Sequence, residues 1–160
     1  MLSNRKIKGL LDEAQQYADE NTGCRKVAVG SALVTKLAGT DYTLFGVNKA
    51  IPNLCKSVEC HRVELYGEDS KNHRLPSDCR ALHSEIDVIS QAAKFGVSTK
   101  GATLFVTRYP CEACARAIIA AGISKVYYGR EQEISEETKK ILENVEVKWI
   151  KDWTYEDTER

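Results

Sequence analysis

The stretch ATLFVTRYPCEACARAIIAAGISKVYY, residues 102–128, carries two changes of period in a short space. Its first residues, 102–107, are an apolar and β-branched run, which predicts a strand. Pro110 then breaks the run, and residues 111–121 recur at helical spacing before Gly122. A second apolar run, 125–128, predicts another strand. Downstream the alternation repeats: a helix over 135–144, opened by Ser135 and Thr138 as a near capping box, and a strand over 145–150. Strands separated by single helices imply crossover connections and parallel pairing of the last three strands. Upstream, Leu82, Ile86, Ile89, Ala92 and Ala93 mark a helix over 80–95 that stops at Gly96. Two further apolar runs, 27–34 and 41–47, join through 37–40, where Gly39 offers turn chemistry, and read as a β-hairpin. Residues 3–17 form an amphipathic helix, with Ile7, Leu10, Leu11, Ala14 and Tyr17 on one face.

Composition narrows the functional classes. The 160 residues are 42% hydrophobic and 29% charged, which suits one folded domain over residues 1–160 and excludes disorder. No run is long and apolar enough for a membrane span, and the first residues are polar and basic, unlike a signal peptide. A cytoplasmic location follows as the expectation. In a reducing compartment, six cysteines read as metal ligands or catalytic groups rather than disulfides. The 23 basic and 23 acidic residues cancel, which argues against affinity based on tracking a nucleic-acid backbone and favours a small-molecule partner.

Two segments carry the chemistry: His83-Ser84-Glu85 and Pro110-Cys111-Glu112-Ala113-Cys114, each at a predicted helix N-terminus. Cys111 and Cys114 are three residues apart and share a helix face, so both sulfurs can reach one ion. The unpaired amides of a first helical turn favour thiolates there. Zinc accepts imidazole together with thiolates, and His83, Cys111 and Cys114 leave its fourth position open to water, which is the arrangement of a catalytic site. Two thiolates and a neutral imidazole balance the charge of the ion, leaving a Lewis acid that brings the pKa of bound water down toward roughly 7. Glu85, two residues beyond His83, is the candidate proton carrier.

With these residues in place the chain resembles the cytidine and deoxycytidylate deaminase superfamily, whose zinc signature is His-x-Glu followed by Pro-Cys-x-x-Cys. Within it the chain resembles the deoxycytidylate (dCMP) deaminase-like branch, through residues 92–96, 102–107 and 117–123 and, upstream, 29–34. The resemblance implies a cytidine deaminase-like α/β fold, a three-layer α/β/α sandwich around a mixed five-stranded sheet. It implies a zinc-dependent hydrolase of an amidine C–N bond, in this branch dCMP to dUMP with release of ammonia. A histidine in the ligand set sets the chain apart from free-nucleoside cytidine deaminases. It implies instead the group that holds dCMP, cytosine, guanine and transfer-RNA adenosine deaminases, so that cytidine, cytosine, guanine and transfer-RNA adenosine are the alternative substrates; neutral overall charge ranks the last lowest. A catalytically silent zinc module is the other class of reading, against which Glu85 stands. The resemblance also makes Asn48 a substrate-binding residue, its amide offering a donor and an acceptor, and implies a homo-oligomer. Two positions depart from the branch: Lys49 stands where glycine usually follows the asparagine, and Asp87 where His-Ala-Glu-x-Asn has asparagine. Both bear on pocket shape and phosphate handling.

Residues 49–80 form a cysteine-rich insert with Pro52, Gly67, Pro76 and no sustained period. It holds Cys55, Cys60, His61, His73 and Cys79, with Cys24 ahead of it, and some branch members carry a second, structural zinc in this region. Cys60 and Cys79 are the candidate ligands for such an ion. Arg62, Arg80 and Arg108 are the candidates for holding a substrate phosphate. The sequence closes on a charged tail, 151–160.

Overall fold

A two-residue turn sets the first half of the sheet. Ala38 and Gly39 both take positive φ, 50° and 83°, as the tight hairpin turns that match strand twist require. They join β1 (Gly30–Leu37) to β2 (Thr40–Val47) in antiparallel register, with Gly30 opposite Val47 and Leu33 opposite Leu44. The computed structural model describes residues 2–24, 26–55, 60–67, 79–132 and 135–155. Within them the chain runs α1 (Asn4–Asn21), β1, β2, α2 (His61–Tyr66), α3 (Ser84–Phe95), β3 (Thr103–Arg108), α4 (Glu112–Ala120), β4 (Lys125–Arg130), α5 (Glu136–Ile141) and β5 (Glu146–Trp149).

The strands form one sheet in the order β2-β1-β3-β4-β5. β3 pairs antiparallel with β1, whereas β3, β4 and β5 are parallel, as the crossover pattern predicts. Side chains alternate across the strands, and two hydrophobic clusters result. Leu33, Leu104, Val106, Val126 and Tyr128 face α3 and α4 together with Val88, Ala92, Ala115 and Ile118. Their neighbours Ala32, Phe105 and Tyr127 face α1 with Ile7, Leu10, Leu11 and Ala14. This is the three-layer α/β/α sandwich with a mixed five-stranded sheet.

Element bounds shift in informative ways. β1 begins at Gly30 rather than at residue 27, because the backbone of Val27 and Val29 bonds instead to the Asn48 side chain. The insert contains a short helix, α2, that its irregular pattern does not announce. The near tail is not simply charged: Trp153 is 5% exposed, packs in the α1 cluster and donates its indole N–H to Asp12 Oδ1 at 2.8 Å. Gly129 makes this packing feasible, since a Cβ there would lie 2.1 Å from the indole ring. Among the described residues no helix is long and apolar enough to cross a membrane.

Candidate metal and active site

The C-terminal ends of β2 and β3 open on the same edge of the sheet, and the two motif helices begin there. His83 is the N-cap residue of α3 and Cys111 that of α4, both in extended backbone. Neither uses its side chain to cap its helix, so imidazole and thiol are free to turn toward each other. α3 is seated closely: Ser31 Oγ donates to Ser84 O at 2.7 Å, and a Cβ on Gly46 would come within 2.4 Å of that same carbonyl. Only glycine at 46 lets the helix approach β2 this far.

The ligand atoms of His83, Cys111 and Cys114 all lie within 4.8 Å of one another. His83 Nδ1 is 3.3 Å from Cys111 Sγ and 3.4 Å from Cys114 Sγ. Donors bound to one tetrahedral ion at usual zinc bond lengths lie roughly 3.5 Å apart, so the three side chains fit an ion as they stand. Both short distances involve Nδ1, which makes that nitrogen the metal-facing one. The three side chains also shift one another's proton affinity. The hydrogen bond to Cys111 holds His83 up at about 10, and a hydrogen bond from Cys114 pulls Cys111 down to about 4. The Cys114 thiol is pushed up, first by its bond to that thiolate and then by burial.

Glu85 is 4% exposed and accepts from Ser84 Oγ at 3.1 Å. Burial lifts its carboxyl above the ordinary carboxylate value, and the positive His83 opposes this in part. A carboxyl so placed can hold a proton beside the cluster and release it. The site opens on a cavity of about 690 Å³ lined by Asn48, His83, Glu85, Cys111 and Tyr109 from the sheet-borne part of the chain and by Cys60, Arg62 and Cys79 from the insert.

Asn48 lines this cavity, yet most of its amide is spent on the protein. Its Oδ1 accepts from Val29 N and Thr22 Oγ1, each at 2.9 Å, and its Nδ2 donates to Val27 O at 2.9 Å. One N–H of the amide is left for a ligand. Thr22 has no motif around it, and sequence reasoning passed over it. It passed over Tyr109 too, although Tyr109 directly precedes Pro110.

Of the phosphate candidates, Arg62 and Arg108 line the cavity and Arg80 does not. The Nε of Arg62 is buried with no hydrogen-bond partner among the described residues. Cys60 and Cys79 line the cavity too. Burial pushes the Cys79 thiol up, but hydrogen bonds with His83 and the Ala81 backbone outweigh it and leave the thiol below its ordinary value. The described residues contain no second group of three donors, and His73 lies outside them. All six cysteines are free of disulfides.

This fold is the one seen in solved deaminases. The dCMP deaminase of cyanophage S-TIM5, solved in complex with dCMP and dUMP, superposes with a TM-score of 0.70 over 94% of this chain and 100% of that one, at 24% identity. The deoxycytidylate deaminase of Mycobacterium phage D29 is 30% identical over 125 residues, 77% of this chain and 91% of that protein. ComE operon protein 2 of Bacillus subtilis is 43% identical over 75 residues, 42% of this chain and 40% of that protein. The chain spans less than half the length of the first curated relatives it matches. The family model for MafB19-like deaminases matches residues 6–155, and the chain belongs to that family.

Proposed function

We propose that this protein is a zinc-dependent hydrolytic deaminase that converts dCMP to dUMP and ammonia, with one domain over residues 1–160 carrying the reaction. The observation that carries this reading is the convergence of His83, Cys111 and Cys114 around one point, with buried Glu85 beside them at the cavity. His83 Nδ1 and the sulfurs of Cys111 and Cys114 would hold the ion. Zinc bound there would supply the Lewis acidity that brings the pKa of a water down toward roughly 7.

The chain's own residues do the rest. Glu85 takes a proton from the attacking water and passes it to the ring nitrogen of the base; a second proton follows to the departing amine, which leaves as ammonia. Asn48, fixed by Thr22, Val27 and Val29, presents its remaining N–H to the nucleoside. Arg62, entering from the insert with a buried Nε, suits the planar recognition of a phosphate, and Arg108 lies on the same cavity. This arrangement favours a nucleotide over a free base. The relatives named deoxycytidylate deaminase point the same way. We place the enzyme in the cytoplasm as a homo-oligomer acting on a small-molecule substrate and not on nucleic acid.

The test is ultraviolet assay of the zinc-loaded protein on dCMP, cytidine, cytosine and guanine. dCMP is expected to react fastest; faster reaction of another compound would keep the chemistry and remove the substrate. Glu85→Gln should retain its zinc and lose turnover on the order of 10²–10⁴-fold. Turnover kept in that variant would remove Glu85 from the reaction.

A further inference from the structure

The two positions at which the sequence departs from the dCMP deaminase-like pattern touch each other. Lys49 Nζ lies 2.8 Å from Asp87 Oδ1, although the two are 38 positions apart in the chain. The Asp87 side chain is 4% exposed, and its other oxygen, Oδ2, accepts from Val47 N at 3.0 Å. Asp87 therefore grips the residue before Asn48 by its backbone and the residue after it by its side chain. The backbone of Lys49 is also bound to α3's approach, exchanging both hydrogen bonds with Leu82, the residue before His83. Asp87 N in turn donates to His83 O at 2.9 Å. One carboxylate thus ties the end of β2 to the turn of helix that presents His83 and Glu85. Lys49 itself does not line the cavity, so its charge serves Asp87 rather than a ligand.

We infer that Lys49 and Asp87 form a mutually compensating pair that positions Asn48 against Glu85. An asparagine at 87 retains an acceptor for Val47 N but has no charge to offer an ammonium. A lysine at 49 beside a neutral amide, or a buried aspartate with no cation, is each the broken half of a charge pair. Either half is worse than a neutral pair, so the two side chains depend on each other. The inference rests on the proposed deaminase reading for its kinetic consequence but not for its structural one.

The experiment compares the wild type with Asp87→Asn, Lys49→Ala and the double variant, each loaded with zinc and confirmed folded at the assay temperature. Hydrogen exchange at the Asn48 side-chain amide should accelerate roughly tenfold in each single variant and return toward wild type in the double. KM for the substrate should rise about tenfold in each single variant with kcat changed much less, and fall back to within about threefold in the double. Single variants that exchange like the wild type, or a double no better than the worse single, overturn the inference. A fall in melting temperature with exchange at Asn48 and KM both unmoved overturns it as well, by making the pair merely structural. A wild type that deaminates nothing removes the proposed function instead, and the exchange measurement still decides the pair.

Discussion

Two groups of residues line the cavity, and they are held in place by different means. In the first, His83, Glu85 and Cys111 stand at the first residues of helices anchored on the sheet: Ser84 O is bound by Ser31, Asp87 by Val47, and Ala115 and Ile118 are fully buried. In the second, Cys60, Arg62 and Cys79 come from an insert of which no described residue joins the hydrophobic clusters. Reacting groups need placement to a fraction of an ångström, which packed helices and strands provide. A segment outside the core changes with little effect on it and suits ligand selection. On the proposed reading, chemistry falls to the sheet-borne group and selection to the insert.

If that division holds, damage to the sheet-borne group should cost stability and chemistry together. Gly46→Ala drives a Cβ to 2.4 Å from Ser84 O and 2.7 Å from Val88 N, backbone atoms with nowhere to move. A destabilisation of about 3 kcal/mol is expected in denaturant unfolding, with weakened zinc retention because α3 carries His83. An unchanged midpoint would mean that α3 does not rest on β2 as described. Arg62→Ala, in the insert, should behave in the reverse way. The unfolding free energy should stay within about 0.5 kcal/mol and the zinc content should not change. KM for dCMP should rise roughly 10–100-fold, the loss of one charge-assisted contact, while KM for cytidine stays put. Equal effects on both substrates would take Arg62 away from the phosphate.

The same division explains what the sequence discloses. The strands β3 and β4 declare themselves as short continuous apolar runs because both their faces are buried, and helix α4 by the period of its one buried face. The metal cluster is legible for a related reason: two ligands one helical turn apart and a third at another helix start are a spacing, and spacing survives in one dimension. Asn48 shows what is lost. Its amide looks like a ligand group from the motif, whereas its bonds to Thr22, Val27 and Val29 depend on how three segments meet. The Lys49–Asp87 pair is visible only as two oddities until the fold brings them together. Helix α2, six residues long, is too short to set a period, and Trp153 sits in a tail whose composition reads as solvated.

The gentlest perturbation concerns the insert's thiols. Cys60 is the N-cap residue of α2, makes no side-chain capping bond and lines the cavity. Cys79, rather than turning away toward a second ion, engages His83. With a single three-donor group among the described residues, metal analysis of the pure protein should return one zinc per chain. Cys60→Ser should leave that count unchanged and shift the unfolding free energy by no more than about 0.5 kcal/mol. Two ions in the wild type and one in the variant would make Cys60 a ligand. The insert would then be stapled by metal, and the contrast with the sheet-borne group would lose its physical basis.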